Sequence, residues 1–150
     1  MSIKNIATNR KALHKYFILE AMEAGIALTG SEIKSIRSGR VSLGEAYVRL
    51  EGGELWLINA HIARYEAASH ESHESTRRRK LLVHRREMAT LAARTAEKGF
   101  TLVALKLYLK GRIAKLEVGV AKGKKLYDKR EAIMRRESQR ELGRIIKRRV

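Results

Sequence analysis

Cationic side chains dominate three stretches of the sequence, and their most direct chemistry is the binding of a polyanion. Arg10 and Lys11 follow Asn9 near the start, and four cations fill residues 77–80. The last segment, residues 122–150, carries 12 Lys and Arg against 4 Asp and Glu. Clusters of this kind are typical of surfaces and arms that bind nucleic acid, because phosphates supply a dense row of negative charge.

Three tyrosines lie near these cationic stretches: Tyr16, Tyr108 and Tyr127. A flat ring beside cations can stack on an unpaired RNA base. Tyr16 and Tyr108 could equally pack within strands. Tyr127 lies in the basic segment 124–130, past the last expected strand, so we expect its ring to be available for stacking.

Catalytic and metal-binding patterns are weak by comparison. His70 and His73, with Glu71 and Glu74, could hold a divalent metal, but the polar composition around them favours a plain loop. Residues 119–125 superficially resemble a phosphate-binding loop, yet the second glycine comes too early and no Ser or Thr follows the lysine. The sequence therefore predicts no enzyme, no metal site and no cofactor.

Composition sets the frame for these residues. The 150-residue chain has a net charge of +17 and is 44% hydrophobic, which is enough for one ordinary core. No apolar run approaches the roughly 20 residues of a membrane span, and no secretory leader is visible, which indicates a cytoplasmic protein. The absence of cysteine agrees with a reducing compartment. An anionic membrane surface would satisfy the same charge as RNA.

The first half of the chain predicts strands around one short helix. Residues 1–15 have the character of a polar, basic arm, and apolar runs at 16–19 and 25–28 predict a first hairpin. Thr29 and Glu32 have the spacing of a capping box, and Gly39 can end the helix that follows. Alternation at 46–50 and 55–58 around a Gly-Gly turn predicts a second hairpin.

The second half predicts one more helix and a third hairpin. The basic run 77–80 leads into a helix whose apolar face includes Met88 and Leu91 and which Gly99 ends. Apolar residues then alternate through 103–109 and 114–120 around Gly111. About six antiparallel strands with flanking helices are most economically arranged as a partly closed barrel, because closure removes exposed edges. We expect this barrel in residues 1–121 and a basic tail, disordered or helical, in 122–150.

Several blocks of residues, in order along nearly the whole chain, resemble the SmpB family of bacterial SsrA-binding proteins. The blocks are Asn9-Arg10-Lys11-Ala12 with His14 and Tyr16-Phe17-Ile18, Glu23 to Gly30, Glu32 to Gly39, Arg79-Lys80-Leu81-Leu82, and Gly119 to Lys125 with Tyr127-Asp128-Lys129-Arg130. The resemblance implies an oligonucleotide-binding-like barrel without an active site.

The resemblance also implies a function in ribosome rescue. Members of the family bind the tRNA-like part of transfer-messenger RNA, enter the A site of a stalled ribosome with it, and place their tail in the decoding centre and the empty messenger channel. The partners implied are transfer-messenger RNA, the ribosome with its small-subunit RNA, and elongation factor Tu carrying the alanylated RNA. A monomer is expected.

The expected site residues combine positions that match the family with cations of the same stretches; the added cations are Lys11, Arg79 and Lys80 in the first set and Lys122, Lys124 and Lys125 in the second. The face for transfer-messenger RNA is expected at Asn9, Arg10, Lys11, Tyr16, Glu23, Arg79, Lys80, Leu82 and Lys115. The decoding-centre and tail residues are expected to be Lys122, Lys124, Lys125, Tyr127, Asp128, Lys129, Arg130, Ile145 and Ile146. Many family members have proline within the segment that reads 62–65 here and at Ala104, whereas this chain has no proline. We expect that difference to affect stability before function.

Overall fold

The computed structural model describes residues 2–65, 73–97 and 99–124, and this part of the chain is mainly β. The strands are β1 (Ile3–Thr8), β2 (Tyr16–Ile26), β3 (Val41–Ser42), β4 (Tyr47–Glu51), β5 (Glu54–Ile58), β6 (His61–Ile62), β7 (Arg79–Leu82), β8 (Phe100–Lys110) and β9 (Ile113–Gly123). The helices are α1 (Arg10–Lys15), α2 (Gly30–Arg37) and α3 (Arg85–Ala96).

Six strands close into a ring. Their order is β8-β4-β5-β7-β2-β9, and β9 pairs again with β8, all antiparallel. β1 extends the sheet at β8, while β3 and β6 form a separate two-stranded sheet. The prediction of about six antiparallel strands in a closed arrangement with flanking helices is confirmed.

The ring closes through its three long strands, because β9 pairs with both β2 and β8. The pairing shifts by one residue between Ile18 and Glu20 on β2, and again between Ala104 and Lys106 on β8. Bulges of this kind increase the local twist and bend a strand, which allows a small sheet to curl onto itself. The interior is filled by alternating aliphatic side chains, among them Leu55, Leu57, Leu81, Leu107 and Leu116, all almost inaccessible to solvent.

The capping box predicted for α2 is present. The Thr29 hydroxyl accepts a hydrogen bond from the Glu32 amide, and the Glu32 carboxylate accepts one from the Thr29 amide. Ile36 is buried in the core, and Gly39 follows the helix with a φ of 75°. α3 ends before Gly99, as expected, and buries Leu91.

Three local predictions are wrong. Residues 16–28 do not form a hairpin, because β2 is a single strand and Gly25 lies opposite Leu82 of β7, where strands approach closely. Residues 1–15 are not an arm outside the fold, because β1 pairs with β8 and α1 follows it. The basic run 77–80 does not continue directly into the second helix, because Arg79 and Lys80 begin β7 and α3 starts only at Arg85. In the described ranges, no helix combines the length and apolar character needed to cross a membrane.

Candidate nucleic-acid interface

A groove outside the ring brings together three of the predicted RNA-binding residues. Glu23 of β2, Leu82 of β7 and Lys115 of β9 lie far apart in sequence and line one cavity of about 600 Å³. The remaining lining residues are Gly25, Ile26, Val83, His84, Glu87, Ile113 and Ala114. We call this cavity the Glu23 groove.

Glu23 is held in place by donors from the neighbouring strands. The Tyr108 hydroxyl donates a hydrogen bond of 2.5 Å to its carboxylate, and the ammonium groups of Lys110 and Lys115 lie 3.5 and 3.9 Å away. The Tyr108 hydrogen bond and the two lysines lower the pKa of Glu23 against a smaller opposing effect of desolvation. Burial, with the hydrogen bond to Glu23, raises the pKa of Tyr108, which stays a donor at neutral pH. The groove thus presents a fixed acceptor beside cations.

Two aliphatic side chains give the groove an apolar wall. Leu82 is 53% exposed and Ile113 is 58% exposed, which is high for residues of this type. Unstacked bases or sugars can pack on such side chains while Lys115 contacts a phosphate. The groove can therefore bind a nucleotide through three kinds of contact.

A second cavity of about 350 Å³ lies beside α1 and brings together Asn9, Lys11 and Tyr16, with Lys15 and Tyr47 also lining it. We call it the α1 cleft. Lys11 forms an exposed ion pair of 2.6 Å with Glu45, and the predicted contact residue Arg10 is exposed at the first position of α1. An ion pair with both partners in solvent is weak, so Lys11 can exchange Glu45 for a phosphate.

Asn9 has a structural role in the α1 cleft. Its side-chain oxygen accepts a hydrogen bond from the Ala12 amide and caps α1, and its side-chain nitrogen donates to the Ala104 carbonyl at 2.9 Å. Only 3% of Asn9 is exposed. It therefore fixes α1 on β8 and positions the basic residues that follow it.

The RNA contact expected at Arg79 does not agree with the structure. The basic run predicts an RNA contact, but the side chain points into the ring and is fully buried. Its guanidinium donates to the Glu32 carboxylate at 2.5 Å, to the Ala60 carbonyl at 2.7 Å and to the Ser75 carbonyl at 3.1 Å. These contacts occupy the cation, so it cannot also reach an RNA on the surface.

Glu32, which forms the ion pair with Arg79, is also fully buried and accepts hydrogen bonds from several donors. Burial by itself raises the pKa of Glu32, but hydrogen bonds from Arg77, the Thr29 amide and Arg79 outweigh it, so the pKa is lowered overall. Burial lowers the pKa of Arg79, against the opposing effect of Glu32. The pair therefore joins α2 to β7 as a charged, fully enclosed contact. Lys80, the next residue, lies on the outer surface and pairs with Glu54 at 3.0 Å.

The end of β9 meets the start of β2 and the end of α1. The Lys122 ammonium lies 4.5 Å from the centre of the Phe100 ring, and the Lys124 ammonium lies 5.4 Å from that of Phe17. Lys124 also donates a hydrogen bond of 3.2 Å to the Leu13 carbonyl. The remaining predicted tail residues, Lys125, Tyr127, Asp128, Lys129, Arg130, Ile145 and Ile146, lie outside the described residues.

The start of the tail and the Glu23 groove occupy opposite ends of the β2–β9 ladder. Tyr16 pairs with Gly123 at one end, and Gly25 pairs with Lys115 at the other. Seven residues of strand separate Tyr16 from Glu23, which is about 23 Å at 3.3 Å per residue. The start of the tail therefore lies beside Tyr16 and the α1 cleft, and away from the Glu23 groove.

The histidine loop does not form a metal site in the described part. The ring nitrogens of His73 contact the Ser31 hydroxyl at 2.9 Å and the Ile62 carbonyl at 2.8 Å, so the ring anchors the chain after β6 to α2. His70 lies outside the described residues. No group of three or more potential ligands occurs among the residues described.

Sequence reasoning missed the role of Tyr108 and did not include Lys110 or Ile113 in the face. Alternation along β8 and the turn at Gly111 would have placed Tyr108 opposite Lys115, which is the pairing observed. The partnership with Glu23 depends on β2 lying on the other side of β9, which alternation within one hairpin cannot reveal.

A closed, strongly basic β-ring with nucleotide-sized grooves on its outside has the architecture of small oligonucleotide-binding proteins. The SmpB protein family matches residues 6–148 of the sequence. The SsrA-binding protein of Dehalococcoides mccartyi is 56% identical over 142 residues, covering 95% of this chain and 83% of the relative. That of a Roseiflexus species is 58% identical over 145 residues, covering 96% and 92%.

A solved structure also matches this chain in both fold and sequence. A chain from the structure described as "tmRNA-SmpB: a journey to the center of the bacterial ribosome" is 47% identical, with a TM-score of 0.66, and the match covers 78% of this chain and 82% of that one. The chain belongs to the SmpB protein family.

Proposed function

We propose that this protein binds the tRNA-like domain of transfer-messenger RNA and delivers it to the A site of stalled ribosomes for trans-translation. Family membership supports this function, since relatives covering nearly the whole chain are SsrA-binding proteins. The observation that carries it here is the Glu23 groove, which joins three residues that match family RNA-binding positions from three separate strands. The protein acts as an adaptor, without a cofactor and without catalysing a reaction.

We assign two RNA-facing parts to the body. The Glu23 groove, with Leu82 and Lys115, contacts the tRNA-like domain, and the α1 cleft with Arg10, Lys11 and Tyr16 extends that contact. Asn9 supports the interface by holding α1 in place, whereas Arg79 stabilises the fold by joining β7 to α2. The start of the tail lies beside the α1 cleft, about 23 Å along β2 from the Glu23 groove, so a tail that leads away from the cleft can reach a different partner.

The basic segment that follows β9 is the ribosome-facing part. Lys122 and Lys124 are tied to the body by ring contacts, so we place the functional boundary just after them and not at residue 121. Tyr127, Asp128, Lys129 and Arg130 approach the decoding centre, and Ile145 and Ile146 lie in the messenger channel. Elongation factor Tu with alanylated transfer-messenger RNA joins a protein monomer before delivery in the cytoplasm.

The experiment is to purify the full-length protein from bacterial cells with its bound RNA and to sequence that RNA. Selective recovery of transfer-messenger RNA over tRNA, weakening steeply with salt as phosphate contacts are lost, supports the function. Equal recovery of all small RNAs would instead indicate a general basic RNA-binding protein. The metal-enzyme alternative would require that His73→Ala reduce trans-translation without reducing stability.

A further inference from the structure

A second outer surface of the ring carries an aromatic ring between two cations. Side chains alternate along β4, β5 and β7, so Leu55 and Leu57 point inward while Trp56 points outward. Trp56 pairs with Arg49 on one side and with Lys80 on the other. Arg49, Trp56 and Lys80 therefore form one row across three neighbouring strands, spaced about 4.8 Å apart.

The cations in and beside this row are exchangeable. The Arg78 guanidinium lies 4.8 Å from the centre of the Trp56 ring and pairs with Glu51, both side chains being about half exposed. Lys80 pairs with Glu54, also in solvent. Exposed ion pairs of this kind are weak, so a ligand can displace them.

Arg49 differs from Arg78 and Lys80 in its interactions. It lies on an exposed strand position and stacks at 5.7 Å from the centre of the Tyr47 ring. Within residues 2–65, 73–97 and 99–124, no ion pair engages it. A row with one unpaired cation, one ring and one loosely paired cation matches the repeat of a single-stranded nucleic acid, in which phosphates flank a base.

We propose that the row Arg49, Trp56 and Lys80 is a binding site for unpaired RNA nucleotides. A base replaces the Arg78 guanidinium on the Trp56 ring, and the flanking phosphates contact Arg49 and Lys80. Lys80 shares β7 with Leu82 of the Glu23 groove, so the unpaired nucleotides can belong either to the RNA in that groove or to a separate RNA such as that of the ribosome. This site stands independently of which RNA the groove binds.

Trp56 is the only tryptophan in the chain, so its fluorescence reports on this site alone. The full-length protein is titrated with a ten-nucleotide oligoadenylate, with a ten-base-pair RNA duplex, and with the tRNA-like domain of transfer-messenger RNA. Anisotropy of labelled RNA measures total binding in parallel. We expect saturable quenching by oligoadenylate and little by the duplex, whose bases are already stacked and paired.

The matched variants are Arg49→Glu and Arg86→Glu. Both reverse one exposed arginine, but Arg86 lies in the first turn of α3, where a carboxylate suits the helix dipole. Arg49→Glu should weaken the oligoadenylate quenching at least about fivefold, as expected for loss of a phosphate contact beside a stacked base, while Arg86→Glu should change it less than about twofold.

Each outcome has one meaning. Quenching by the tRNA-like domain identifies the groove RNA as the source of the nucleotide, and quenching by oligoadenylate alone identifies a separate RNA. Bound oligoadenylate without Trp56 quenching, equal quenching by the duplex, or equal effects of the two variants would overturn this site. Failure of the tRNA-like domain to bind at all appears in the anisotropy and counts against the proposed function, not against this site.

Discussion

Replacing Arg79 by Met should destabilise the protein strongly while leaving RNA binding by the folded protein intact. Arg79 and Glu32 are both fully buried, and the substitution removes an ion pair together with hydrogen bonds to three carbonyls. Glu32 keeps Arg77 and the Thr29 amide, but one of its oxygens loses its partner. Breaking one side of a buried pair costs about 3–5 kcal/mol.

The measurements are urea unfolding, which gives the free energy of unfolding, and a thermal melt, both made on the full-length variant and monitored by circular dichroism. At about 2–4 °C per kcal/mol for a chain of this size, the melting temperature should fall by roughly 10 °C. Lys80→Met is the matched control, because it removes the neighbouring cation from an exposed pair and should cost less than about 1 kcal/mol.

Two results would contradict a purely structural role for Arg79. Equal stability of the Arg79→Met and Lys80→Met variants would mean that the buried pair contributes nothing specific. A stable Arg79→Met protein that no longer binds transfer-messenger RNA would mean that Arg79 contacts RNA after all, as the basic run in the sequence first indicates.

Three further perturbations test separate parts of the account. The pKa of Glu32 is lowered from its ordinary value of 4.5, so its contribution to stability is complete above that value and is lost as the pH falls through the folded-state pKa; Glu32→Gln should flatten this acid limb in unfolding measured from pH 6 to 3. Gly119→Ala would bring a methyl group to 2.8 Å from Leu105 and should cost about 1–3 kcal/mol in a thermal melt, whereas Gly123→Ala meets no atom within 4 Å and should be close to neutral. Truncation after Arg130 should leave the affinity for transfer-messenger RNA unchanged but abolish peptide tagging on stalled ribosomes, and continued tagging would contradict the division between body and tail.

Local signals in the sequence were sufficient for much of the fold. The capping box at Thr29 and Glu32 satisfies backbone groups within one turn, so its spacing alone predicts it. The hairpin around Gly52 and Gly53 is likewise a local event, and both glycines have positive φ. These elements agree with the sequence because neighbours in the chain determine them.

The wrong predictions concern residues whose environment is determined by segments far apart in the sequence. The apolar runs 16–19 and 25–28 suggested a hairpin, but β2 runs through both of them; Gly25 lies where Leu82 of β7 packs against it, and a β-carbon there would come within 3.3 Å of that side chain. Arg79 suggested a surface cation, but β alternation places it on the inward face together with Leu81. Its partner Glu32 comes from a helix 47 residues earlier in the chain, and no local pattern connects the two.

In the candidate site, too, some residues could be predicted from the sequence, whereas some contacts depend on the topology of the sheet. Glu23, Leu82 and Lys115 came from the resemblance to the SmpB family, and the ring brings them together in one groove. Tyr108 was noticed as an aromatic residue near cations, yet its hydrogen bond to Glu23 spans two strand pairings and required the topology of the sheet.

The most direct test of RNA binding by the Glu23 groove is an affinity measurement. The equilibrium affinity of the full-length protein for the tRNA-like domain of transfer-messenger RNA is compared with that of the Glu23→Ala, Leu82→Ala double variant. Burial of the exposed half of Leu82 is worth about 1 kcal/mol, and a hydrogen bond to the carboxylate about 1–2 kcal/mol. We expect a loss of affinity of about thirtyfold or more with an unchanged fold by circular dichroism. An affinity within twofold of the unmodified protein would contradict it.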